Sequence, residues 1–187
     1  MRLFLAVVPP QKIRRELALA VTEFARRLRG RFVPEANLHL SLQFLGETPS
    51  VALPAIQEAT ESCLRRTPIE LVWGGLGAFP NLSRARVAYL KVHSEGDRLL
   101  SLAKELKESL RCALPQKAEL EDQRPFRAHL TLARFKRPPA LSDLEELERE
   151  LAPLSWRSTL DAVVLVQSVL TPQGAHYTVL CEHRLKS

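Results

Sequence analysis

Two segments of the sequence place a histidine two residues before a hydroxyl side chain within an alternating apolar pattern. They are Leu38-His39-Leu40-Ser41-Leu42 and Ala128-His129-Leu130-Thr131-Leu132. Because successive side chains of a strand point to opposite faces, each histidine and its hydroxyl project from the face opposite the leucines. An imidazole titrates near neutral pH, so two of them can give and take the protons of one reaction. The pattern predicts a two-histidine acid–base site with a hydroxyl beside each ring.

The spacing alone is weak evidence, because a histidine precedes a hydroxyl by two residues in three places. The third is His176-Tyr177-Thr178, which follows the turn-like residues 171–175 instead of lying inside an apolar alternation. A single strand histidine is also commonly a structural residue whose hydrogen bonds are met by its neighbours. The matched flanks and hydroxyls of His39 and His129 favour these two as the functional pair.

Other reaction types have less support in the sequence. The five histidines show neither the H-x-H nor the H-E-x-x-H spacing of metal ligands, and acidic residues do not cluster beside the motifs. Ser41 lacks the G-x-S-x-G turn of hydrolases that use a serine nucleophile. We therefore expect no metal and no cofactor. The alternative from another class is a protein that binds RNA in the same basic cleft without catalysis, with salt-dependent binding that survives loss of either histidine.

The composition fits one globular domain, which we expect to span residues 1–187. Of the 187 residues, 45% are hydrophobic and 26% are charged, and the formal net charge of +6 favours polyanionic partners such as RNA. Three cysteines without a C-x-x-C pair argue against a disulfide framework. The apolar run at residues 3–8 is too short for a signal peptide or a membrane span. We expect a cytoplasmic monomer that does not enter a membrane.

The elements that carry the two motifs alternate between helices and strands. Apolar residues at helical spacing predict four helices, over 13–28, 49–66, 99–110 and 141–151. Stretches rich in strand-forming residues predict strands over 1–8, 38–45, 69–73, 86–92, 128–135, 160–170 and 177–181. Pairs of strands between helices favour an antiparallel α+β fold. Phe44 alternates with Leu40 and Leu42, so we expect it in the core rather than as a platform for a base.

Similarity to a known family extends over five segments of the chain. They are Met1–Ala6, Asn37–Glu47, Gly75–Asn81, Arg124–Arg134 and Tyr177–Leu180. These segments, with the two motifs in this order, resemble the bacterial and archaeal RNA 2′,3′-cyclic phosphodiesterases, also called 2′-5′ RNA ligases, of the 2H phosphoesterase superfamily. The resemblance implies a bilobal α+β fold, in which two pseudo-symmetric lobes with mostly antiparallel sheets line a central cleft and the helices lie outside.

The resemblance also implies a reaction. An RNA with a terminal 2′,3′-cyclic phosphate would be opened to a 2′-phosphate without metal or nucleotide hydrolysis, and RNA ends would be joined slowly and reversibly by a 2′-5′ bond. We assign His39 as general acid and His129 as general base. Ser41, which replaces the family's commoner threonine, and Thr131 would hold the phosphate. Arg134 resembles an arginine of the family, and it needs a β-bulge or a twist at the strand end to reach the face of His129.

Overall fold

Five α-helices and nine strands lie in the part of the chain that the computed structural model describes, residues 1–65, 67–115, 117, 120, 125–172 and 174–185. The helices are α1 (Gln11–Ala20), α2 (Thr22–Arg27), α3 (Leu53–Cys63), α4 (Arg98–Ala113) and α5 (Leu141–Leu151). The strands are β1 (Arg2–Val7), β2 (Arg31–Phe32), β3 (Leu40–Glu47), β4 (Ile69–Phe79), β5 (Val87–Ser94), β6 (His129–Arg134), β7 (Ser155–Leu160), β8 (Ala162–Thr171) and β9 (Gly174–Arg184). This mixture confirms the predicted α+β class.

The nine strands form one antiparallel sheet that consists of two halves. Its order is β7-β4-β5-β6-β3-β1-β8-β9, with β2 beside β6. The halves meet where β3 pairs with β6, at Leu40 and Leu130. We call β3, β1, β8 and β9 the first lobe, and β6, β5, β4, β7 and β2 the second lobe. Each motif strand lies at the inner edge of its own lobe, so the predicted bilobal arrangement is confirmed.

Each motif strand contains a β-bulge three residues after its histidine. In β3, Leu42 is the extra residue between two consecutive partners on β1. In β6, Leu132 is the extra residue between two consecutive partners on β5. A bulge interrupts the alternation of side chains along its strand. The two motif strands therefore share their local geometry, and residues beyond each bulge change face.

Apolar side chains from both lobes pack with the helices into one continuous core on one face of the sheet. Its fully buried members include Leu5, Leu17, Trp73, Leu106 and Leu130, each 0% exposed. Full burial of one such side chain stabilises the fold by about 1.5–3 kcal/mol. A smaller apolar cluster lies on the other face of the first lobe and contains Phe4, Ala6, Val164 and Val166. The motif side chains project from this second face.

Two helices differ from their predicted bounds. The predicted helix over 13–28 is split at Val21 into α1 and α2, and the second part ends at Arg27. The helix predicted from Pro49 begins at Leu53, after a single 3-10 turn. Pro54 has no backbone N–H to donate and so fits only the first turn of a helix, which agrees with the start of α3 one residue before it. The apolar periodicity predicted these helices, but not the breaks within them.

The predicted strand over 160–170 belongs to two strands that have different partners. The first strand, β7, pairs with β4 and ends at Leu160. The second strand, β8, pairs with β9 from Ala162 onward and with β1 from Val164 onward. β-Propensity is the same on both sides of this junction, so it could not mark the change of partner. Arg124 and most of the predicted loop 115–125 lie outside the described residues. Among the described helices, none is long and apolar enough to cross a membrane.

Candidate active site

The two motif histidines lie at corresponding positions in the two lobes, and the same kind of hydrogen bond anchors each ring. Each immediately precedes the leucine that joins the lobes. The Nδ1 atom of His39 lies 2.7 Å from the carbonyl oxygen of Asn37, and that of His129 lies 2.7 Å from the carbonyl oxygen of Arg127. A carbonyl oxygen only accepts hydrogen bonds, so each Nδ1 carries the proton. In the neutral rings, Nε2 is therefore the unprotonated nitrogen and the atom available for proton transfer.

The hydroxyl of the first motif contacts this second nitrogen. Ser41 Oγ lies 3.1 Å from Nε2 of His39. Since this nitrogen is unprotonated in the neutral ring, the serine hydroxyl donates to it. Ser41 also lies opposite Ala6, on the face of the smaller apolar cluster. Thr131 holds the corresponding position in the second lobe, two residues after His129 and opposite Tyr89.

Aromatic rings of the first lobe enclose His39. The ring centroid of Phe4 lies 4.9 Å from that of His39, and the ring centroid of Tyr177 lies 5.2 Å from it at 89°. Tyr177 also packs edge-on against Phe4 at 5.3 Å. In addition, the Asn37 side-chain amide donates to the carbonyl oxygen of Ala175 at 2.9 Å. β9 therefore fixes both the ring of His39 and the residue that anchors it.

A second pair of rings encloses His129 in the other lobe. The ring centroid of Phe79 lies 5.1 Å from that of His129, and that of Tyr89 lies 5.3 Å from it. Phe79 and Tyr89 stack on each other at 4.4 Å. Tyr89 lies directly over Gly77 of β4, where an added Cβ would be 2.4 Å from the tyrosine ring. The missing side chain of Gly77 thus creates the space that Tyr89 fills beside His129.

Burial lowers the pKa of both motif histidines below the ordinary value of 6.5. The hydrogen bonds to the carbonyls of Asn37 and Arg127 oppose this shift. The positive charge of Arg134 lowers the pKa of both rings further, and protonated His129 lowers that of His39. Both rings are therefore mainly neutral at neutral pH when no anion is bound.

Arg134 lies close enough to the histidines for its charge to act on both. It follows the bulge at Leu132, where Leu132 and Ala133 are both buried and Arg134 is exposed. The bulge interrupts the strict alternation that would have placed Arg134 on the core face. The bulge thus places Arg134 on the face of the motif side chains, where its charge acts on His39 and His129.

The prediction that Phe44 belongs to the core is wrong. Its side chain is 53% exposed, and its ring lies 5.8 Å from that of Phe4. The bulge at Leu42 is the reason, because it turns Phe44 to the face of Phe4. Phe44 comes five residues after His39, as Arg134 comes five residues after His129. The cleft therefore has an aromatic ring on one side and a guanidinium on the other.

Sequence patterns alone missed most of the residues around the two rings. Tyr177 belongs to the third histidine–hydroxyl segment, but the structure exposes His176 and turns it to the opposite face of β9. Lys91 is also exposed and lies opposite His129 on β5. Alternation predicts which residues of β9 or of β5 share a face of the sheet. It does not show that these two strands lie beside the motif strands.

The groups that line the cleft suit an anion. Ser41 and Thr131 provide hydroxyl donors, and Arg134 provides a guanidinium. Within the described residues, no group of three or more histidine, cysteine, aspartate or glutamate side chains is arranged to hold a metal ion. The donors, the cation and the two imidazoles together fit a phosphate ester, in whose hydrolysis the attacking oxygen loses a proton and the leaving oxygen gains one.

Comparison of the sequence with known proteins indicates one family. A model of the 2′-5′ RNA ligase superfamily matches residues 9–171. An RNA 2′,3′-cyclic phosphodiesterase of Thermus thermophilus is 36% identical over 190 aligned positions, covering 100% of this chain and 91% of the relative. One of Archaeoglobus fulgidus is 33% identical over 183, covering 95% and 96%.

Solved structures agree with the sequence matches. A crystal structure of a protein of Thermus thermophilus superposes with a TM-score of 0.82 at 33% identity, covering 100% of this chain and 98% of that one. Escherichia coli LigT, solved in complex with NADP+, superposes with a TM-score of 0.74 at 25% identity and the same coverage. With both motifs inside the matched region and both lobes present, the chain belongs to the 2′-5′ RNA ligase superfamily.

Proposed function

We propose that the protein hydrolyses the 2′,3′-cyclic phosphate at the end of an RNA to a 2′-phosphate. The observation that carries this proposal is the matched anchoring of His39 and His129, which leaves Nε2 of each ring as the proton-transfer atom in one cleft. Relatives that align with 95% or more of this chain are named RNA 2′,3′-cyclic phosphodiesterases, which supports the same substrate class.

The two histidines divide the proton transfers of the reaction. Nε2 of His129 takes a proton from water as its oxygen attacks phosphorus. Protonated Nε2 of His39 gives a proton to the ribose 3′ oxygen as its bond to phosphorus breaks. With an RNA 5′ hydroxyl in place of water, the same transfers join two RNA ends by a 2′-5′ bond, and the ribose 3′ oxygen again leaves phosphorus. The roles of acid and base exchange in the reverse reaction, in which the 3′ hydroxyl attacks phosphorus and the 2′-5′ bond is cleaved.

The negative charge of the bound substrate favours the protonated form of the histidine that acts as general acid. Since both histidines have a lowered pKa without an anion, a bound phosphate must raise the pKa of one of them to keep it protonated. Ser41 Oγ, 3.1 Å from Nε2 of His39, is positioned to accept from that nitrogen once it is protonated. The anion thereby helps to prepare the acid that acts on it.

The phosphate oxygens need donors that are already in place. Ser41 and Thr131 each offer one hydroxyl from a motif strand, and Arg134 offers a cation that acts on both histidines. The exposed ring of Phe44 lies on the same face and suits stacking with a base of the RNA. These residues would bind the substrate, while His39 and His129 carry the chemistry.

Analysis of the reaction product tests the proposal. A short RNA ending in a 2′,3′-cyclic phosphate is incubated with the protein in EDTA and without nucleotide, and the product is separated against synthetic 2′- and 3′-phosphate standards. We expect the 2′-phosphate. A 3′-phosphate would contradict the assigned leaving group. Salt-dependent binding without turnover would instead support a non-catalytic RNA-binding protein.

A further inference from the structure

A second group of chemically reactive side chains lies on the core face of β9, away from the cleft. Sγ of Cys181 is 3.1 Å from Nε2 of His183, and Nδ1 of His183 is 3.3 Å from a carboxylate oxygen of Glu61 on α3. Cys181 pairs with Leu165 and His183 pairs with Val163, both of which belong to the main core. The group therefore lies on the helix-covered side of the first lobe.

The hydrogen bonds in this group have one consistent direction. A carboxylate only accepts, so Nδ1 of His183 donates to Glu61 and Nε2 is unprotonated in the neutral ring. That nitrogen accepts the S–H of Cys181. A thiol, an imidazole and a carboxylate in this order form the arrangement that activates a nucleophile by removing its proton. The side chain of His183 is only 4% exposed, which holds the ring in this geometry.

The three cysteines of the chain have three different surroundings. Cys181 is partly exposed and contacts His183. Cys112 is exposed on α4, and within the described residues no imidazole is in hydrogen-bond contact with it. Cys63 is buried on α3. The thiolate is the reactive form of cysteine. Among the residues that the structure describes, Cys181 alone combines a hydrogen-bonded imidazole with access from solvent.

We propose that Cys181 is a modification site that exchanges with small disulfides. The S–H proton passes to Nε2 of His183, and Sγ attacks one sulfur of R–S–S–R. The Cys181–S bond forms as the S–S bond of the reagent breaks, and the departing R–S⁻ takes the proton from His183 and leaves as R–SH. The cysteine is oxidised to a mixed disulfide and half of the reagent is reduced. Glu61 is a positioning residue that orients His183 through the hydrogen bond to Nδ1.

Site-resolved kinetics with 2-hydroxyethyl disulfide tests this proposal on the full chain. The reduced protein is incubated with excess reagent at neutral pH, quenched with acid, and analysed by peptide mass spectrometry. We expect Cys181 to be modified at least about tenfold faster than Cys112. Cys63 should be the slowest. A Cys181 rate at or below that of Cys112 would overturn the proposal.

Two variants test whether His183 activates the thiol of Cys181 or whether solvent access alone sets its rate. His183→Asn should lower the Cys181 rate by about tenfold and leave the Cys112 rate unchanged. Cys63 reports unfolding, because it reacts only if the core opens. If His183→Asn opens the core, the Cys181 rate in Glu61→Gln tests the proposal instead. The Glu61 side chain is 64% exposed and glutamine has the same shape, so this variant should stay folded. Glu61→Gln should lower the Cys181 rate by about threefold. An unchanged Cys181 rate in a folded variant would overturn the proposal.

Discussion

At the scale of single residues, the two rings are held in one tautomer by backbone carbonyls rather than by carboxylates. This matters because a carboxylate partner would raise the pKa of the imidazole, whereas burial and the charge of Arg134 lower it here. Without a bound anion His39 and His129 are therefore mainly neutral, and the negative charge of a bound phosphate favours protonation of one of them. The hydroxyl of Ser41 contacts Nε2 of His39, the nitrogen that exchanges a proton in the proposed reaction.

Titration of the histidine ring protons by NMR checks this electrostatic state. In the free protein, His39 and His129 should each have a pKa below 6.5, and an added 2′-phosphate nucleotide should raise both. Between the lowered pKa and 6.5 the unfolded chain binds more protons, so the contribution of both rings to stability falls as pH decreases through that range. The exposed His176 serves as the control ring. A pKa of His39 or His129 above 6.5 in the free protein would contradict this assignment.

Substitution of the hydroxyl residues tests their role as phosphate donors. Ser41→Ala and Thr131→Ala should each reduce kcat by about 10²- to 10³-fold, because one transition-state donor is lost. Ser41→Thr retains the hydroxyl and should keep most of the activity. His176→Ala is the matched control from the third histidine–hydroxyl segment, and its rate should stay within about tenfold of wild type. A covalent adduct trapped on Ser41 would show instead that this residue is a nucleophile.

At the scale of elements, the two bulges decide which side chains enter the cleft. Alternation along the motif strands was sufficient to predict that His39 and Ser41, and likewise His129 and Thr131, share a face. It misplaced Phe44, because an extra residue in a strand depends on the partner strand and leaves no mark in the apolar pattern. The need for a β-bulge or a twist at the strand end near Arg134 was predictable, but only by combining the family resemblance with strict alternation.

Gly77 connects strand packing to the position of His129. In Gly77→Ala the new Cβ would meet the ring of Tyr89, so Tyr89 must move away from its place beside His129. We expect a loss of about 1–3 kcal/mol in the free energy of unfolding, together with lower turnover. Denaturant titration and kinetics measure the two effects.

A double-mutant cycle identifies the cause of the Gly77→Ala effect. With Tyr89→Ala in the background, the added methyl group has no ring to displace, so Gly77→Ala should then cost much less stability. Equal costs in the two backgrounds would show that the backbone at Gly77, rather than Tyr89, is sensitive to the substitution.

At the scale of the whole molecule, the lobes share a core and meet at the Leu40–Leu130 pair. The α+β class and the two-lobed design were predictable from the order of strands and helices and from the resemblance. The strand order was not, since β4 pairs with β7 and β1 pairs with β8 across long sequence separations. Local periodicity contains no information on such distant partners.

We expect the two lobes to unfold together as one domain. Trp73 and Trp156 report the second lobe by fluorescence, and Cys63 on α3, which packs on β9, reports the first lobe by thiol exposure. Both signals should give the same denaturant midpoint, because one core joins the lobes. Separate midpoints would show two independently folding units.

The pH dependence of hydrolysis in the two single-histidine variants tests the acid–base pair most directly. With EDTA present, the wild type should show a bell-shaped profile whose limbs belong to the coupled pair. His39→Ala should lose the alkaline limb and His129→Ala the acidic limb, each with a rate lower by about 10²- to 10⁴-fold. The double variant should lose less than the product of the single effects, and binding of a 2′-phosphate product should weaken far less than turnover. Near-normal rates in both single variants, or activity that returns only with a divalent metal, would contradict the two-histidine mechanism.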